Sequence, residues 1–193
     1  GHEAFCAIRE RGSKTADLAV LVVSAEDGVK PQTVEAINCV KESGIPFLVA
    51  INKIDKPNAN VDKTKQELAE KEILLEGWGG TVPCVKISAK TGEGVPELLE
   101  TLILQAEIEE ISGNPNLPAT GFVIEGTQDP KKGIIATLVV KDGTVKRGTY
   151  IRSGSAYAPA RIIEDFLGKP MESAGPGSPL RIIGWNEAPK AGM

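Results

Sequence analysis

The segment Pro46-Phe-Leu-Val-Ala-Ile-Asn-Lys-Ile-Asp55 decides the fold of this chain, because an apolar run ends abruptly in a polar motif. The run Phe47 to Ile51 has no polar side chain and is typical of a strand buried on both faces of a parallel sheet. Asn52 to Asp55 follow at once. Open α/β sheets bind ligands beyond the carboxyl ends of their strands. The segment therefore predicts an α/β fold with a binding site at this motif.

A second segment repeats the arrangement 36 residues further on. Ser88-Ala-Lys90 follows Val82 to Ile87, a run that is apolar except for Lys86 and that indicates a buried strand. Together the two motifs have the form of the guanine-binding half of a GTP-binding domain. The candidate nucleotide-binding residues are Asn52, Lys53, Ile54, Asp55, Ser88, Ala89 and Lys90.

The residue types fit the chemistry of guanine. Guanine presents two donors on one edge, and an ionised Asp55 can accept both in a charge-assisted pair. Adenine lacks that pair, so the unmade bonds would cost about 1.5–3 kcal/mol. Lys53 can lay its aliphatic stem along the base, and Lys90 can cover the opposite face. The Ala89 N–H is placed to donate to the guanine carbonyl.

Two points stay open at this stage. Asn52 can bond the other edge of the base or tie neighbouring loops together. Asn52 to Asp55 alone also fits a strand-to-helix turn with a capping Asp and a solvated Lys. The position of both motifs at strand ends favours guanine recognition.

The phosphate-binding half of such a domain is not in the sequence. No G-x-x-x-x-G-K-[ST] occurs among the 193 residues, and the chain starts at Gly1 rather than Met. We therefore expect an N-terminally truncated fragment that binds no nucleotide tightly. Because phosphoryl transfer depends on a phosphate cradle and Mg²⁺, we expect no measurable GTP hydrolysis from this chain alone.

Strands and helices alternate over residues 1–111, which predicts a parallel sheet with helices on both faces. Together with the two motifs, this pattern leads us to expect a P-loop GTPase-like α/β domain that lacks its phosphate-binding loop. The predicted strands are Asp17–Ala25, Phe47–Ile51 and Val82–Ile87. The predicted helices are Pro31–Ser43, Val61–Ile73 and Val95–Glu107, the last with Leu98, Leu99, Leu102 and Ile103 facing inward.

The pattern changes after residues 112–118, a stretch rich in Gly, Pro and Asn that we interpret as a linker. Residues 1–111 carry a net charge of −7 and residues 112–193 a net charge of +3. Six or so short β runs in residues 119–193 predict a small antiparallel β-barrel. We expect a hairpin turn at Asp142-Gly143 and no regular structure in Ser173 to Pro179. No aromatic stacking platform is evident, which disfavours single-strand nucleic-acid binding of that kind.

Composition excludes several classes. No run of 18 apolar residues exists, so we expect no membrane association. The three cysteines, Cys6, Cys39 and Cys84, are widely spaced and indicate reduced thiols in a cytoplasmic protein, with an organellar compartment left open. A single His argues against a zinc site, and we predict no metal ligands. We expect a monomer.

Longer stretches resemble one family. They are Gly1-His-Glu-Ala-Phe5, Ala25-Glu-Asp-Gly28, Pro31-Gln-Thr-Val-Glu-Ala-Ile37, Ala50-Ile-Asn-Lys-Ile-Asp-Lys-Pro57, Ser88-Ala-Lys-Thr-Gly-Glu-Gly94, Ala119-Thr-Gly-Phe-Val-Ile-Glu125 and Ala174-Gly-Pro-Gly-Ser-Pro179. Through them the chain resembles the bacterial-type translation initiation factor two family of translational GTPases, over nearly its whole length.

The resemblance implies further roles. Gly1 would contact the γ-phosphate of GTP, and His2 would position the attacking water as a catalytic residue. It implies GTP or GDP with Mg²⁺ in the parent protein. It also implies binding to small-subunit ribosomal RNA through the barrel, and initiator tRNA binding through domains absent here. Lys131 and Lys132 could contact phosphates, although a solvated loop is the more common role of such a pair.

Three functions stay open. The chain could belong to a GTP-hydrolysing initiation factor that promotes initiator tRNA placement and subunit joining. It could be a non-catalytic ribosome-binding module, or part of another translational GTPase such as an elongation factor. We assign no functional role to Trp78 or Trp185.

Overall fold

The computed structural model describes residues 16–192. The chain divides between Ile111 and Ser112 into two compact units. The elements of the first unit, in chain order, are β1 (Ala19–Ser24), α1 (Pro31–Ser43), β2 (Phe47–Asn52), α2 (Val61–Glu70), β3 (Cys84–Lys86) and α3 (Val95–Ile108).

The three strands of the first unit form one parallel sheet in the order β1-β2-β3. Val23 pairs with Ile51, and Ile51 with Lys86, so the carboxyl ends of all three strands lie at one edge. The predicted parallel sheet with helices is confirmed. The order also places the residues that follow β2 and β3 side by side.

Local signals set the helix starts. α1 begins at Pro31 and ends before Gly44, whose φ of 65° closes the helix in the left-handed region. α2 begins after Asn60, whose side chain accepts the Lys63 N–H at 2.9 Å. The bounds of α1 coincide with those predicted.

The helices cover the two faces of the sheet unequally. From α1 and α2, the buried Ile37 and Leu68 join one apolar cluster with Leu21, Val49 and other strand residues. From α3, Leu98 packs against a smaller cluster of Ala50, Val85 and Ile87 on the sheet.

Two predicted details of the helices are wrong. α2 ends at Glu70 rather than at Ile73, because Glu72 turns the chain with a φ of 61° and lets Ile73 enter the core. On α3, Leu99 is 54% exposed and Ile103 61% exposed, although we predicted both to face inward. At 3.6 residues per turn, a helix lying on a flat sheet through Leu98 carries Leu99 about 100° away from that contact.

The second unit is antiparallel. Its strands are β4 (Thr120–Asp129), β5 (Gly133–Asp142), β6 (Val145–Lys146), β7 (Tyr150–Ser153), β8 (Ala156–Pro159), β9 (Ile162–Glu164), β10 (Ser173–Ala174) and β11 (Pro179–Ile183). They form a four-stranded sheet β4-β5-β11-β9 and the pairs β10-β6 and β7-β8. Trp185 lies in the apolar core of this unit with Leu138, Ile163 and Leu180. The predicted change to an antiparallel β fold is confirmed.

Two predicted turns differ from the structure. Asp142-Gly143 does turn the chain, but β6 pairs with β10 and not with β5, so the turn closes no hairpin. The Gly143 N–H donates to the Asn114 carbonyl at 3.1 Å, and Thr144 forms a bridge with Pro118, so the chain leaves β5 along residues 114–118 before it enters β6. Ser173 to Pro179, predicted to be irregular, contains the short strand β10.

Two further features of residues 16–192 concern membrane-spanning helices and cysteine pairing. None of their helices is both long enough and apolar enough to cross a membrane. Cys39 and Cys84 are free thiols, as predicted, while Cys6 lies outside the described residues.

Candidate functional site

The two motifs meet at the carboxyl edge of the parallel sheet. Asn52 is the last residue of β2, and Ser88 lies two residues beyond the end of β3. The Ile54 N–H donates to the Ile87 carbonyl at 3.3 Å and links the two loops directly. The Ile54 side chain packs against the main core of the unit, so of this residue it is the backbone that helps to shape the site.

Asn52 ties the two loops together. Its Oδ1 accepts the N–H of Lys53 at 2.7 Å and the N–H of Ala89 at 3.0 Å. This is one of the two roles that the sequence left open for Asn52. Because the bond to Asn52 already uses the one hydrogen of the Ala89 amide, a guanine carbonyl must share that hydrogen with Asn52 or displace it, and this contact stays a prediction. Asn52 fixes the position of that N–H relative to Asp55.

Asp55 is held by a buried hydroxyl. The Ser88 side chain, 0% exposed, donates to Oδ1 of Asp55 at 2.7 Å, and its oxygen accepts the Thr91 N–H at 3.2 Å. The bond from Ser88 lowers the pKa of Asp55, helped by the Asp55 backbone amide and by the positive charges of Lys90 and Lys56. At neutral pH the Asp55 carboxylate is ionised, exposed and fixed in direction.

Lys53 has an unusual backbone and a strong partner. Its φ is 65°, a left-handed conformation that is uncommon outside glycine and that clusters at functional sites. Its Nζ lies 2.8 Å from Oδ2 of Asp27 and 3.9 Å from Oε2 of Glu26. The hydrogen bond to Asp27 raises the pKa of Lys53 and lowers that of Asp27.

Sequence reasoning missed Asp27 as part of the site. Asp27 follows β1 and also accepts a hydrogen bond from the Ser24 hydroxyl at 2.8 Å. The parallel order of the sheet was the available signal, because it brings the loop after β1 to the same edge as the loop after β2. The ammonium of Lys53 is thereby fixed while its aliphatic stem stays at the site.

The loop after β3 is closed by its own backbone. The Ser88 N–H donates to the Glu93 carbonyl at 2.9 Å, and the Gly92 N–H donates to the Ser88 carbonyl at 2.8 Å. Gly94 has a φ of 72°, and a Cβ there would collide with the Lys86 carbonyl. A glycine at this position therefore lets α3 start directly behind the loop. Lys90 is exposed at the loop tip.

The hydrogen-bonding groups of the site fit the base of a nucleotide better than its phosphates. An ionised carboxylate with fixed direction, next to a positioned backbone N–H, matches the donor pair and carbonyl of guanine. Within residues 16–192, no three His, Cys, Asp or Glu side chains cluster in a way that could hold a metal ion. Gly1 and His2, proposed at the phosphate end, lie outside the described residues.

Comparison with known families decides the relationship. The family model described as the elongation factor Tu GTP binding domain matches residues 1–107. This chain belongs to that family. A second model, described as elongation factor G domain 2, matches residues 118–193.

The similar proteins agree with this placement. Translation initiation factor IF-2 of Persephonella marina is 52% identical over 192 residues, and that of Rubrobacter xylanophilus is 49% identical. Both alignments cover 100% of this chain but only 22% and 28% of the relatives. The chain thus spans about a quarter of the length of the curated relatives it matches.

Solved structures show the same fold. GDP-bound aIF5B from Aeropyrum pernix matches with a TM-score of 0.77 and 27% identity, covering 100% of this chain and 40% of that one. The elongation factor SelB from Methanococcus maripaludis, in its apo form, matches with a TM-score of 0.69 and 26% identity. That match covers 99% of this chain and 42% of that one.

Proposed function

We propose that this chain is the guanine-binding part, with the following β domain, of a translation initiation factor that binds and hydrolyses GTP. The observation that carries the proposal is the Asp55 carboxylate. It is held by the Ser88 hydroxyl at 2.7 Å and lies in a loop joined to the Ala89 loop through Asn52. In this proposal residues 1–111 are the GTPase-like domain, residues 112–118 the linker and residues 119–193 the barrel.

Each residue has a separate task in binding the base. Asp55 accepts the two donors on one edge of guanine. The Ala89 N–H, which is bonded to Asn52 Oδ1 in this structure, shares its hydrogen with the carbonyl on the neighbouring edge of the base. The stem of Lys53 packs on one face of the base while Asp27 holds the ammonium away from it. Lys90 covers the other face. Because Ser88 has no exposed surface, it acts by positioning Asp55.

The phosphates of the nucleotide are bound by residues other than those of the two motifs. Gly1 and His2 are the candidates for contacting the phosphates of GTP, to which Mg²⁺ is bound. Mg²⁺, when bound with GTP, neutralises charge that develops on the phosphates. The residues described here bind and orient the base, and this chain alone neither holds nucleotide tightly nor hydrolyses it.

The wider role follows from the names of the relatives. Two IF-2 proteins near 50% identity favour a translation initiation factor. We propose that this factor promotes initiator tRNA placement and ribosomal subunit joining. The SelB elongation factor, at 26% identity, is a weaker match, so an elongation factor is the less favoured function. We place the protein in the cytoplasm, as a monomer that contacts small-subunit ribosomal RNA through its β domain.

A nucleotide titration tests base recognition in this chain. The amide resonances of Lys53, Asp55 and Ala89 are followed by NMR in the isotope-labelled chain, with GDP added to one sample and ADP to another. We expect weak binding, with shifts confined to the two motif loops and larger for GDP. Equal shifts with ADP, or shifts spread outside these loops, would contradict the proposal.

A further inference from the structure

The loop of residues 74–82, which joins α2 to β3, has no part in the proposed nucleotide site. It carries Trp78, whose side chain is 42% exposed, and Leu74, which is 47% exposed. Exposed Trp is uncommon because the indole has the largest apolar surface of any side chain and is usually mostly buried. The question is what holds it at the surface.

Backbone hydrogen bonds fix the loop at both ends. The Leu75 carbonyl accepts the N–H of Trp78 at 2.9 Å and that of Gly80 at 3.2 Å. The Glu76 N–H donates to the Val82 carbonyl at 2.8 Å, and the Leu75 side chain is 1% exposed. The loop is therefore anchored in the core beneath Trp78 and is built as a rigid support.

Glycines permit this geometry on either side of the indole. Gly77 and Gly79 have φ angles of 74° and 84°, which other residues rarely adopt. At Gly80, a Cβ would collide with the Leu74 carbonyl. The backbone around Trp78 is thus specified in detail, although Trp78 contributes little to the core.

Lys65 of α2 orients the ring. Its Nζ lies 5.7 Å from the centroid of the Trp78 indole, within the range of a cation–π contact that contributes about 0.5–1 kcal/mol at an exposed site. One face of the ring is occupied by this contact. The rest of the ring is presented to solvent in a fixed direction.

The charges around the loop favour a protein partner over nucleic acid. Glu70 and Glu76 are exposed and form no ion pair with another described residue. Residues 1–111 carry a net charge of −7, which gives a phosphate backbone no general attraction to this unit. Trp is among the residues most enriched at the energetic centres of protein–protein interfaces.

We propose that the Trp78 loop is a docking site for a protein with an apolar pocket for the indole and Lys or Arg side chains at its rim. The indole fills the pocket, and Glu76 pairs with the basic rim. We place this protein on the ribosome, a choice that rests on the proposed function.

Photo-crosslinking on purified ribosomal subunits tests the proposal. A photoreactive amino acid replaces the exposed Leu74 in the full chain, and crosslinks are assigned to ribosomal protein or to RNA. We expect crosslinks to a ribosomal protein, at a peptide that contains Lys or Arg beside apolar residues. Crosslinks mainly to RNA, or none above the unirradiated background, would overturn the proposal.

Variants then separate docking from mere proximity. Trp78→Ala should weaken the binding that yields this crosslink about tenfold or more, as expected of an interface anchor, whereas Trp78→Phe should keep most of it. Glu76→Gln should reduce the salt dependence of binding. Tyr150→Ala is the matched control, because Tyr150 is a 75% exposed aromatic residue in the other unit, and it should have no effect. Unchanged crosslinking with Trp78→Ala would overturn the proposal.

The two proposals fail in different ways. Loss of base preference in the GDP and ADP titrations, with a crosslink that still depends on Trp78, would refute guanine recognition and leave the docking site standing. A normal preference for GDP, with a crosslink that is unchanged in Trp78→Ala, would refute the docking site and leave guanine recognition standing.

Discussion

The hydroxyl of Ser88, completely buried, donates a hydrogen bond of 2.7 Å to the exposed carboxylate of Asp55, 33 residues earlier in the chain. Within its own loop, the Ser88 hydroxyl oxygen also accepts a hydrogen bond from the Thr91 N–H. One side chain therefore orders the second motif and aims the key residue of the first. In the proposed function, this relationship makes both motifs necessary for one guanine-binding site.

Replacing Ser88 by Ala should raise the pKa of Asp55 towards its ordinary value of 3.8, because the bond that lowers it most is lost. A lowered pKa in the folded state stabilises the fold above pH 3.8, and this stabilisation disappears as the pH falls through the lowered value. The free energy of unfolding of Ser88→Ala should therefore fall less as the pH drops below 3.8. Carboxyl chemical shifts followed over an NMR pH titration measure the change.

Ser24→Ala is the matched control for that titration. The Ser24 hydroxyl donates to Asp27 at 2.8 Å in the neighbouring loop and contributes to the lowered pKa of Asp27. Its removal should shift Asp27 upward and leave Asp55 where it is. If Ser88→Ala and Ser24→Ala moved Asp55 equally, the assigned cause would be wrong.

Gly94→Ala should destabilise the first unit more than Gly92→Ala. Both residues have positive φ angles, 72° and 84°, so both substitutions carry a left-handed cost of about 1–2 kcal/mol. A Cβ at Gly94 also meets the Lys86 carbonyl, whereas nothing lies within 4 Å of one at Gly92. Urea unfolding of the two variants measures the difference, and equal free energies of unfolding would show that the close approach costs nothing.

Lys131 and Lys132 should behave differently when each is replaced by Ala. The Lys132 Nζ lies 2.9 Å from Oε1 of Glu164, which is buried, so its removal leaves a carboxylate without its partner. That loss should cost about 1 kcal/mol of stability, since Lys132 is itself half exposed. Lys131→Ala should leave stability unchanged.

Binding to small ribosomal subunits gives the second measurement on this pair. If Lys131 contacts a phosphate, Lys131→Ala should make the slope of log K against log salt shallower by about 0.7–0.9. Cosedimentation over a salt series measures the slope. A slope unchanged in Lys131→Ala would remove this residue from the proposed ribosome contact.

The sequence predicted the parts of the fold that follow from local rules. The apolar run Phe47 to Ile51 and the helix signals at Pro31 and Gly44 depend on neighbouring residues, and the structure agrees with them. The inward face of α3 was wrong because burial depends on which surface the helix meets. The hairpin predicted at Asp142-Gly143 was wrong because the residues after the turn pair with segments distant in the sequence, Thr144 with Pro118 and β6 with β10.

The candidate site shows the same division. The motif residues were visible because their types and spacing are local, and they meet as predicted at one edge of the sheet. The bond from Ser88 to Asp55 and the pairing of Lys53 with Asp27 join segments 33 and 26 residues apart. Nothing in the local sequence specifies such partners, so they became visible only in three dimensions.

Asp55→Asn tests the central claim, that Asp55 reads the base, most directly. An amide at this position can still accept from Ser88 through its oxygen, while its NH₂ group can donate to the 2-oxo group of xanthine. Titration of the wild-type and variant chains with GDP, ADP and xanthosine diphosphate, followed through the Lys53 and Ala89 amides, compares the three bases. We expect the wild type to prefer GDP, and the variant to bind GDP more weakly by about 1.5–3 kcal/mol and to prefer xanthosine diphosphate. A variant that keeps the preference of the wild type for GDP would contradict the account.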